Sequence, residues 1–273
     1  MIDVDYLSET RTVIIKWRNE TMNRNYKEKD VIGCLFDNLD RWRHHPKYQL
    51  ERRADLFFSL YLNAVLEEKF NDEKDFCIAD RLIPEFPVRK GTILEEFKEH
   101  PHRNMSYNID YFTTTKDLKN IIFIELKTDQ KSINEKQNYY LKKTMEKDFN
   151  SVLKGIMEIC KATEAKSKYY RLLKELEYLG LIWNLNELDD LMGEAENKKI
   201  PSGNYNELIN KIEINETSSK KHLFIIQPNG VGGGIITFKD FHAVVTNYKD
   251  EISNRFAEFL NSWPEEEVGG VIK

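Results

Sequence analysis

Two acidic residues and one lysine occur near the ends of two apolar segments that a short polar stretch separates. The first segment, Ser106–Phe112, contains Asp110, and the second, Asn120–Lys127, ends with Glu125 and Lys127. Side chains two positions apart on a β-strand share a face, so Glu125 and Lys127 point the same way if the second segment is extended. The spacing therefore predicts an acid and a base together at the end of a buried strand.

The polar stretch between the segments predicts a hairpin. A turn centred on Asp117 and Leu118 places Asp110 opposite Glu125, on the face that carries Lys127. Two carboxylates repel each other and one lysine does not neutralise both, so such a group lowers its electrostatic cost by holding a divalent cation. The pattern is typical of a metal-dependent phosphodiesterase.

Glu-x-Lys triplets are common in this chain, because 32% of its residues are charged. Four others begin at Glu67, Glu96, Glu164 and Glu196, and none of them ends an apolar segment with an aspartate placed opposite. The plain alternative for Glu125 and Lys127 is a cross-strand ion pair on a solvated sheet face, which would add little stability.

Composition predicts a globular protein with ample material for a core. The chain has 273 residues, of which 40% are hydrophobic, and it contains no apolar run long enough for a membrane span. Its three cysteines, Cys34, Cys77 and Cys160, are far apart, which favours neither a zinc site nor a disulfide framework and fits a reducing compartment. With no signal-peptide pattern at the amino terminus, we expect a cytoplasmic protein that has no membrane partner.

The formal net charge of −5 is not typical of a nucleic-acid-binding domain, but a local basic face suffices to meet a phosphate backbone. Arg41–Lys47 with Arg52 and Arg53 is one candidate face, although such runs are often only solvated surface. A second candidate comprises four lysines, namely Lys131, Lys136, Lys142 and Lys143.

Hydrophobic periodicity and turn residues predict the elements around the hairpin. The expected elements before residue 180 are an irregular helical stretch to about residue 40, a helix over 48–70, a strand over 76–88, a helix over 135–161 capped by Ser132 or Asn134, and a helix over 166–179 that stops at Gly180. Pro84 and Pro87 make the strand over 76–88 an edge strand or an irregular exit.

The remaining sequence predicts a polar insertion followed by two strands and a helix. These are a polar segment over about 185–220 with a break at Pro201–Asn204, strands over 221–227 and 235–238, and an amphipathic helix over 241–263. The glycine-rich Gly230–Gly234 predicts a hairpin turn rather than a phosphate-binding loop, because no helix clearly begins there. His44 and His45 lack partners at metal-ligand spacing.

The order helix, three strands, helix, strand, with carboxylates on the second and third strands, resembles the PD-(D/E)XK nuclease superfamily, which has the restriction-endonuclease-like fold. The resemblance covers roughly residues 48–230, with Ile109-Asp110 in place of Pro-Asp and Glu125-Leu126-Lys127 as the (D/E)-x-K element. It is strongest to a branch with recombination-type nuclease domains and uncharacterised bacterial proteins. Asn108 stands where that branch often has glycine, and no histidine of the first helix matches the one found in some members.

The resemblance implies an α/β fold with an αβββαβ core, a central mixed sheet flanked by helices and extra helices at the N-terminus and after the core helix. We expect one elaborated domain over 1–273, made of a helical extension (1–47), the core with its insertion (48–230) and a C-terminal strand and helix (231–273). Helical additions at both ends would suit dimerisation or attachment to a partner protein.

The implied activity is Mg2+-dependent hydrolysis of nucleic acid, with DNA favoured over RNA and Mn2+ as an alternative ion. Asp110, Glu125 and the backbone carbonyl of Leu126 would hold the metal, and Lys127 would stabilise developing charge. Glu51 would be the acid of the first helix that assists the site as a further metal ligand, with Glu67 as the alternative.

The resemblance also assigns accessory roles, each with a plain alternative. Gln137 and Tyr140 would position the substrate phosphate or Lys127, or else they are a helix-start residue and a core tyrosine. Glu85 would belong to the ligand shell, or else it is an ordinary charge on an edge strand.

Two rival functions remain open at this point. One is a catalytically inactive protein that uses the same fold as a nucleic-acid or protein interaction module. The other is an unrelated α/β enzyme for a small phosphorylated ligand, which would be supported if Asp110 and Glu125 lay on different sheet faces.

Overall fold

The computed structural model describes residues 31–43, 45, 49–70, 76–128, 135–194 and 202–263. Most of the predicted N-terminal helical stretch, His44, Lys131, Pro201 and the two candidate cap residues Ser132 and Asn134 lie outside these ranges.

A mixed five-stranded sheet forms the centre of the described structure. In their order across the sheet, its strands are β1 (Ile83–Arg89), β2 (Ser106–Thr114), β3 (Asn120–Leu126), β6 (Lys220–Gln227) and β7 (Ile235–Thr237). The β1–β2 and β2–β3 pairs are antiparallel, whereas the β3–β6 and β6–β7 pairs are parallel. Two short strands, β4 (Ile182–Trp183) and β5 (Glu213–Ile214), pair separately.

Helices cover both faces of the sheet. They are α1 (Val31–Arg43), α2 (Glu51–Lys69), α3 (Lys90–Ile93), α4 (Glu135–Glu146), α5 (Phe149–Ala162), α6 (Lys166–Tyr178), α7 (Asn186–Glu194), α8 (Ser202–Lys211), α9 (Phe238–Val245) and α10 (Glu251–Ser262), with a short 3-10 turn at Glu95–Phe97.

The core is divided by the sheet into two clusters. One cluster joins one sheet face to α4–α8 and includes Phe112, Phe123 and Ile156. The other joins the opposite face to α1, α2, α9 and α10 and includes Ile124 and Phe256. The β3 sequence Ile121–Leu126 is buried at every position, because both faces of this central strand are covered.

Several predicted elements are confirmed. The hairpin, the helix after residue 48 and the stop at Gly180, whose φ is +71°, all occur. The two prolines lie in β1, and β1 is an edge strand, as expected.

Four predictions were wrong. The helix over 135–161 is two helices, because the Asp148 side chain accepts a hydrogen bond from the Ser151 backbone N–H and starts a new helix there. The polar segment over 185–220 contains two helices that bury Leu188, Tyr205 and Ile209 in the core. The Gly230–Gly234 segment does not close a hairpin, because β6 and β7 run parallel.

The C-terminal helix predicted over 241–263 is likewise two helices, α9 and α10. Each begins at its own side-chain cap, Thr237 for α9 and Asp250 for α10. Within the described residues, no helix is both long and apolar enough to span a membrane.

Candidate active site

The register of the β2–β3 hairpin brings the predicted acids together. Tyr111 pairs with Ile124 and Thr114 pairs with Ile121, which centres the connection on Asp117 and Leu118 as predicted. Continuing this register by one residue places Asp110 opposite Glu125, at the end of the hairpin away from the turn. The alternative in which the two acids lie on different sheet faces is therefore not supported, because the two carboxyl groups are close enough for each to shift the pKa of the other.

Glu125 is the centre of the hydrogen-bond network. Its Oε1 accepts a hydrogen bond from Lys127 Nζ at 2.8 Å and another from the side-chain amide of Gln137. The Tyr107 hydroxyl lies 3.4 Å from its Oε2, which is a long hydrogen bond. Asp110 Oδ2 accepts from the backbone N–H of Leu126 at 2.7 Å. Each acid thus has one oxygen held by strong protein donors and one that is less constrained.

The alternation of side chains between the two sheet faces shifts by one residue near Asp110, on β2 and on its neighbour β1. Ile83 and Phe86 of β1 are three residues apart, yet both pack into the same core cluster, and so do their partners Phe112 and Ile109 of β2. Strict alternation would put residues three apart on opposite faces. Both strands therefore shift by one residue in the same interval, which contains Asp110 on β2.

The corresponding interval of β1 contains Glu85, which has a φ of +50°. A non-glycine residue in this region costs about 1 kcal/mol or more, and such residues occur often at functional sites. The Glu85 side chain is exposed and accepts a hydrogen bond from Asn108 at 3.2 Å. Glu85 thus lies at the rim of the site, with Asn108 as its contact.

Burial makes the carboxyl pair electrostatically expensive. Burial raises the pKa of Glu125 to about 8, and the negative charge of Asp110 acts in the same direction. The pKa of Asp110 is also raised, chiefly by burial, against the opposing effect of the Leu126 N–H hydrogen bond. Near neutral pH, the pair is therefore stable only with a shared proton or with a bound cation.

Lys127 remains protonated beside these acids. Burial disfavours its ammonium group, but the charge and hydrogen bond of Glu125, with Glu51 and Asp110, outweigh that effect and raise the pKa of Lys127. Only 7% of its side chain is exposed, so the charge is directed to the acids rather than to solvent. Lys127 is suited to electrostatic stabilisation and not to proton abstraction.

The first helix contributes Glu51 and not Glu67. Glu51 Oε1 lies 3.8 Å from Lys127 Nζ, because α2 begins beside the end of β3. Glu67 lies more than four turns further along α2, where its carboxylate accepts from the Ile78 backbone N–H at 3.4 Å.

A cleft of about 370 Å3 opens over Asp110. Its walls include Glu51, Glu85, Asp110, Leu126 and Gln137, all of which the sequence predicted as site residues. The Leu126 side chain is buried in the core cluster on the α2 side, so its backbone is what the cleft can use.

Among the other residues of the cleft, Asp55, Tyr107 and Tyr111 had no predicted role in the site, whereas Arg52 was predicted only as part of a basic face. Tyr107 is three residues before Asp110 and meets Glu125 only because of the shifted strand. The Tyr111 hydroxyl donates to the Asp55 carbonyl at 2.6 Å and so joins β2 to the start of α2. The tyrosine pattern around Asp110, Tyr-Asn-Ile-Asp-Tyr, was the available signal for both tyrosines.

Tyr140 does not touch the carboxyl pair directly. It is 9% exposed and belongs to the core, and its ring lies 5.2 Å from that of Tyr107. Gln137 and Tyr140 therefore make different contacts: Gln137 contacts Glu125, whereas Tyr140 packs against the ring of Tyr107.

The donor set suits a hard divalent cation. Asp110 Oδ1, Glu125 Oε2 and the Leu126 carbonyl are oxygen donors of the kind that Mg2+ and Mn2+ prefer. Within the described residues, no three carboxylate, histidine or cysteine side chains are already grouped as metal ligands. Asp110, Glu125 and Glu51, the three acids that the sequence predicted as metal ligands, are therefore not grouped as a ligand set in the described residues.

Comparison with known proteins adds no relative. No protein-family model matches the chain, and no curated protein and no solved structure shows significant similarity to it.

Proposed function

We propose that this protein is a metal-dependent nuclease that hydrolyses phosphodiester bonds of nucleic acid, with DNA as the favoured substrate. The observation that carries the proposal is the meeting of Asp110, Glu125 and Lys127 at the end of one hairpin, where Glu125 is buried, Asp110 is half-buried and Lys127 contacts Glu125 at 2.8 Å. Such a pair of acids beside a lysine costs stability, and a catalytic role would explain why the protein keeps it.

The order of elements supports a restriction-endonuclease-like core. Helix α2, strands β1, β2 and β3, helices α4 and α5 and strand β6 occur in this order, and β6 lies parallel to β3. Helix α3 is added between β1 and β2, and α6–α8 with β4 and β5 are added between α5 and β6. Without these additions, the order is the αβββαβ order that the resemblance implies, with the acids on the second and third strands.

Charge in the cleft indicates why a metal is needed. Glu51, Asp55, Glu85 and Asp110 line the cleft and Arg52 is its cationic member, so a bare phosphate would be repelled. Bound Mg2+ would neutralise part of this charge and lower the pKa of a water molecule beside the scissile phosphate.

Each protein residue then has a definite task. Asp110 and Glu125, with the Leu126 carbonyl, hold the cation. Lys127 places its positive charge where negative charge develops on the phosphate. Gln137 fixes the orientation of Glu125 through its amide, and Glu51 keeps Lys127 oriented from the other side of the sheet edge.

A catalytically inactive interaction module is the second candidate. It is favoured by the engagement of Glu125 Oε1 with both Lys127 and Gln137, which satisfies that oxygen without any metal. In that case the carboxyl pair would hold a proton below about pH 8, and the cleft would bind without cutting.

Hydrolysis assays distinguish the two candidates. Single- and double-stranded DNA and RNA are incubated with Mg2+ or Mn2+ and wild-type protein, Asp110→Ala or Lys127→Ala. The nuclease proposal predicts metal-dependent cleavage that both substitutions abolish, while Glu67→Ala, at the far end of α2, retains it. Folded wild-type protein that cuts none of the four substrates with either ion would favour the interaction module.

A further inference from the structure

A cluster of three cationic side chains lies beside the candidate active site, at the end of β1. Arg89 and Lys90 are consecutive there, and two backbone hydrogen bonds bring Arg103 next to them. Lys90 N–H donates to the Met105 carbonyl and Gly91 N–H donates to the Arg103 carbonyl, both at 2.9 Å. A Cβ atom on Gly91 would lie only 2.9 Å from the Arg103 Cβ, so glycine is what allows this close approach.

Among the described residues, Arg89, Lys90 and Arg103 form no salt bridge with a carboxylate. Arg89 is half-buried, and burial, together with the nearby charge of Arg103, lowers its pKa, although Glu158 opposes this. Its guanidinium donates instead to the Asn104 side-chain oxygen at 2.8 Å. A cluster of like charges of this kind is stabilised by an external anion.

Aromatic rings continue the surface from these cations towards helix α4. The Lys90 ammonium lies 5.6 Å from the Phe97 ring and 6.0 Å from the Tyr140 ring, which Lys136 also approaches to 6.0 Å. Tyr139 follows at 6.0 Å from Tyr140 and is 44% exposed. We call Lys90, Phe97, Arg103, Lys136 and Tyr139, which surround the buried Tyr140, the aromatic–basic strip.

The strip adjoins the catalytic acids. Tyr140 packs on Tyr107, whose hydroxyl faces Glu125, and Gln137 on the same helix donates to Glu125. On the other side, Arg89 pairs with Ser106, which lines the cleft. Arg89 is four residues along β1 from Glu85, or about 13 Å, so a single strand of nucleic acid can reach from the acids to the cations.

We propose that the aromatic–basic strip binds an unpaired stretch of nucleic acid beside the site of hydrolysis, which makes single-stranded or locally opened nucleic acid the preferred substrate. The proposal rests on the proposed nuclease function. An exposed tyrosine ring stacks on a base face, and base faces are accessible only in unpaired strands. Lys90 and Arg103 supply the phosphate contacts, whereas Lys143 is already paired with Glu146 at 2.7 Å and is not assigned one.

Fluorescence anisotropy tests the proposal without any hydrolysis. A labelled single-stranded 20-nucleotide DNA and its duplex are titrated with wild-type protein in EDTA, at several salt concentrations. We expect the single strand to bind at least about tenfold more tightly than the duplex. Tyr139→Ala should weaken single-strand binding about fivefold or more, the loss of one stacked base, whereas Tyr139→Phe should retain it.

Charge substitutions give an independent measure. Arg103→Ala should lower the slope of log affinity against log salt by about 0.7, the value for one phosphate contact on a single strand. Two control variants change similar residues elsewhere. Tyr178 is 58% exposed with the Arg81 guanidinium 4.4 Å from its ring, and Lys239 is an exposed cation on α9 at the opposite sheet face. Tyr178→Ala and Lys239→Ala should bind like wild type.

The proposal for the strip is refuted if the duplex binds as tightly as the single strand. It is also refuted if Tyr139→Ala and Arg103→Ala bind the single strand as Tyr178→Ala and Lys239→Ala do. Cleavage with Mg2+ in parallel separates this result from the fate of the nuclease proposal. Strip-dependent binding without any cleavage would sustain the strip and refute the nuclease. Metal-dependent cleavage, with no effect of either strip substitution on binding, would sustain the nuclease proposal and refute the strip.

Discussion

The carboxyl pair makes a specific prediction about how stability depends on pH when metal is removed. The folded protein binds a proton at Glu125 with a pKa of about 8, whereas an unfolded chain releases it near the ordinary value of 4.5. Between these two values the folded state holds more protons than the unfolded state. The free energy of unfolding must therefore fall as the pH rises through this window.

The size of the effect follows from the shift. One proton contributes up to about 1.4 kcal/mol per pH unit, and the raised pKa of Asp110 acts in the same direction at the lower end of the window. We expect the metal-free protein to lose about 3 to 5 kcal/mol of stability between pH 5 and pH 8. This contribution is fully present below about pH 4.5 and is lost once the pH exceeds the folded-state pKa.

Other acids do not obscure this window. Asp117, Asp148 and Asp250 have lowered pKa values because of hydrogen bonds from nearby side chains and backbone N–H groups. Their contributions to stability are present at and above pH 5 and are lost only in stronger acid, as the pH falls through their folded-state pKa values.

Urea unfolding at half-unit steps from pH 5 to 8 in EDTA measures the effect, with Glu125→Gln as the matched control. Glu125→Gln should remove most of the decline, because glutamine has no proton to lose. Addition of Mg2+ at about 100 times its dissociation constant should restore roughly 2.7 kcal/mol at pH 8 in wild type and much less in the variant. A wild-type profile that is flat, or that matches Glu125→Gln, would refute the account of the buried acids.

Three further substitutions test separate parts of the structure. Lys127→Met should lower the single-turnover cleavage rate by about 10²–10³-fold while Mn2+ binding remains, because it removes a charge and keeps the side-chain length; an unchanged rate would exclude the electrostatic role. Asp148→Ala should cost about 1 kcal/mol in urea unfolding, because the Ser151 backbone N–H loses its cap; no change would mean that α4 and α5 can join. Gly155→Ala should cost about 1–3 kcal/mol despite the better helix propensity of alanine, because the new Cβ would lie 2.5 Å from Thr92 Oγ1; a stabilised variant would contradict this packing.

The position of the acids could be predicted from sequence because strand geometry is simple. A two-residue period and a short polar turn were enough to place Asp110 opposite Glu125, and the register agrees with that expectation. The edge position of β1 followed from Pro84 and Pro87 for an equally local reason, since proline cannot donate to a sheet ladder.

The rest of the site depends on contacts between distant segments. Tyr107 reaches Glu125 only because β1 and β2 shift their alternation together at Glu85 and Asp110, and no local pattern reveals a paired shift. The Glu51 carboxylate contacts Lys127 only because α2 packs at the end of β3. Such contacts arise from tertiary packing, which a single sequence does not display.

The wrong predictions of helices and of the glycine-rich turn have related causes. The apolar residues Met145 and Phe149 keep helical spacing on either side of Lys147 and Asp148. Periodicity alone therefore predicted one helix where the Asp148 cap starts a second. In residues 185–220, the few apolar residues are buried by packing on α5, and polar composition concealed two helices. Parallel pairing of β7 is set by the sheet and not by the glycine-rich connection.

The most direct test combines metal binding and cleavage in the same samples. Electron paramagnetic resonance of unbound Mn2+ gives the number of ions that wild-type protein and Glu125→Gln bind at pH 8, and a labelled single-stranded DNA in the same tubes reports hydrolysis. We expect wild type to bind at least one Mn2+ ion and to cut the DNA, whereas Glu125→Gln should do neither. Folded wild-type protein that binds no Mn2+ and leaves the DNA intact would contradict the claim that Asp110 and Glu125 form a metal-dependent hydrolytic site.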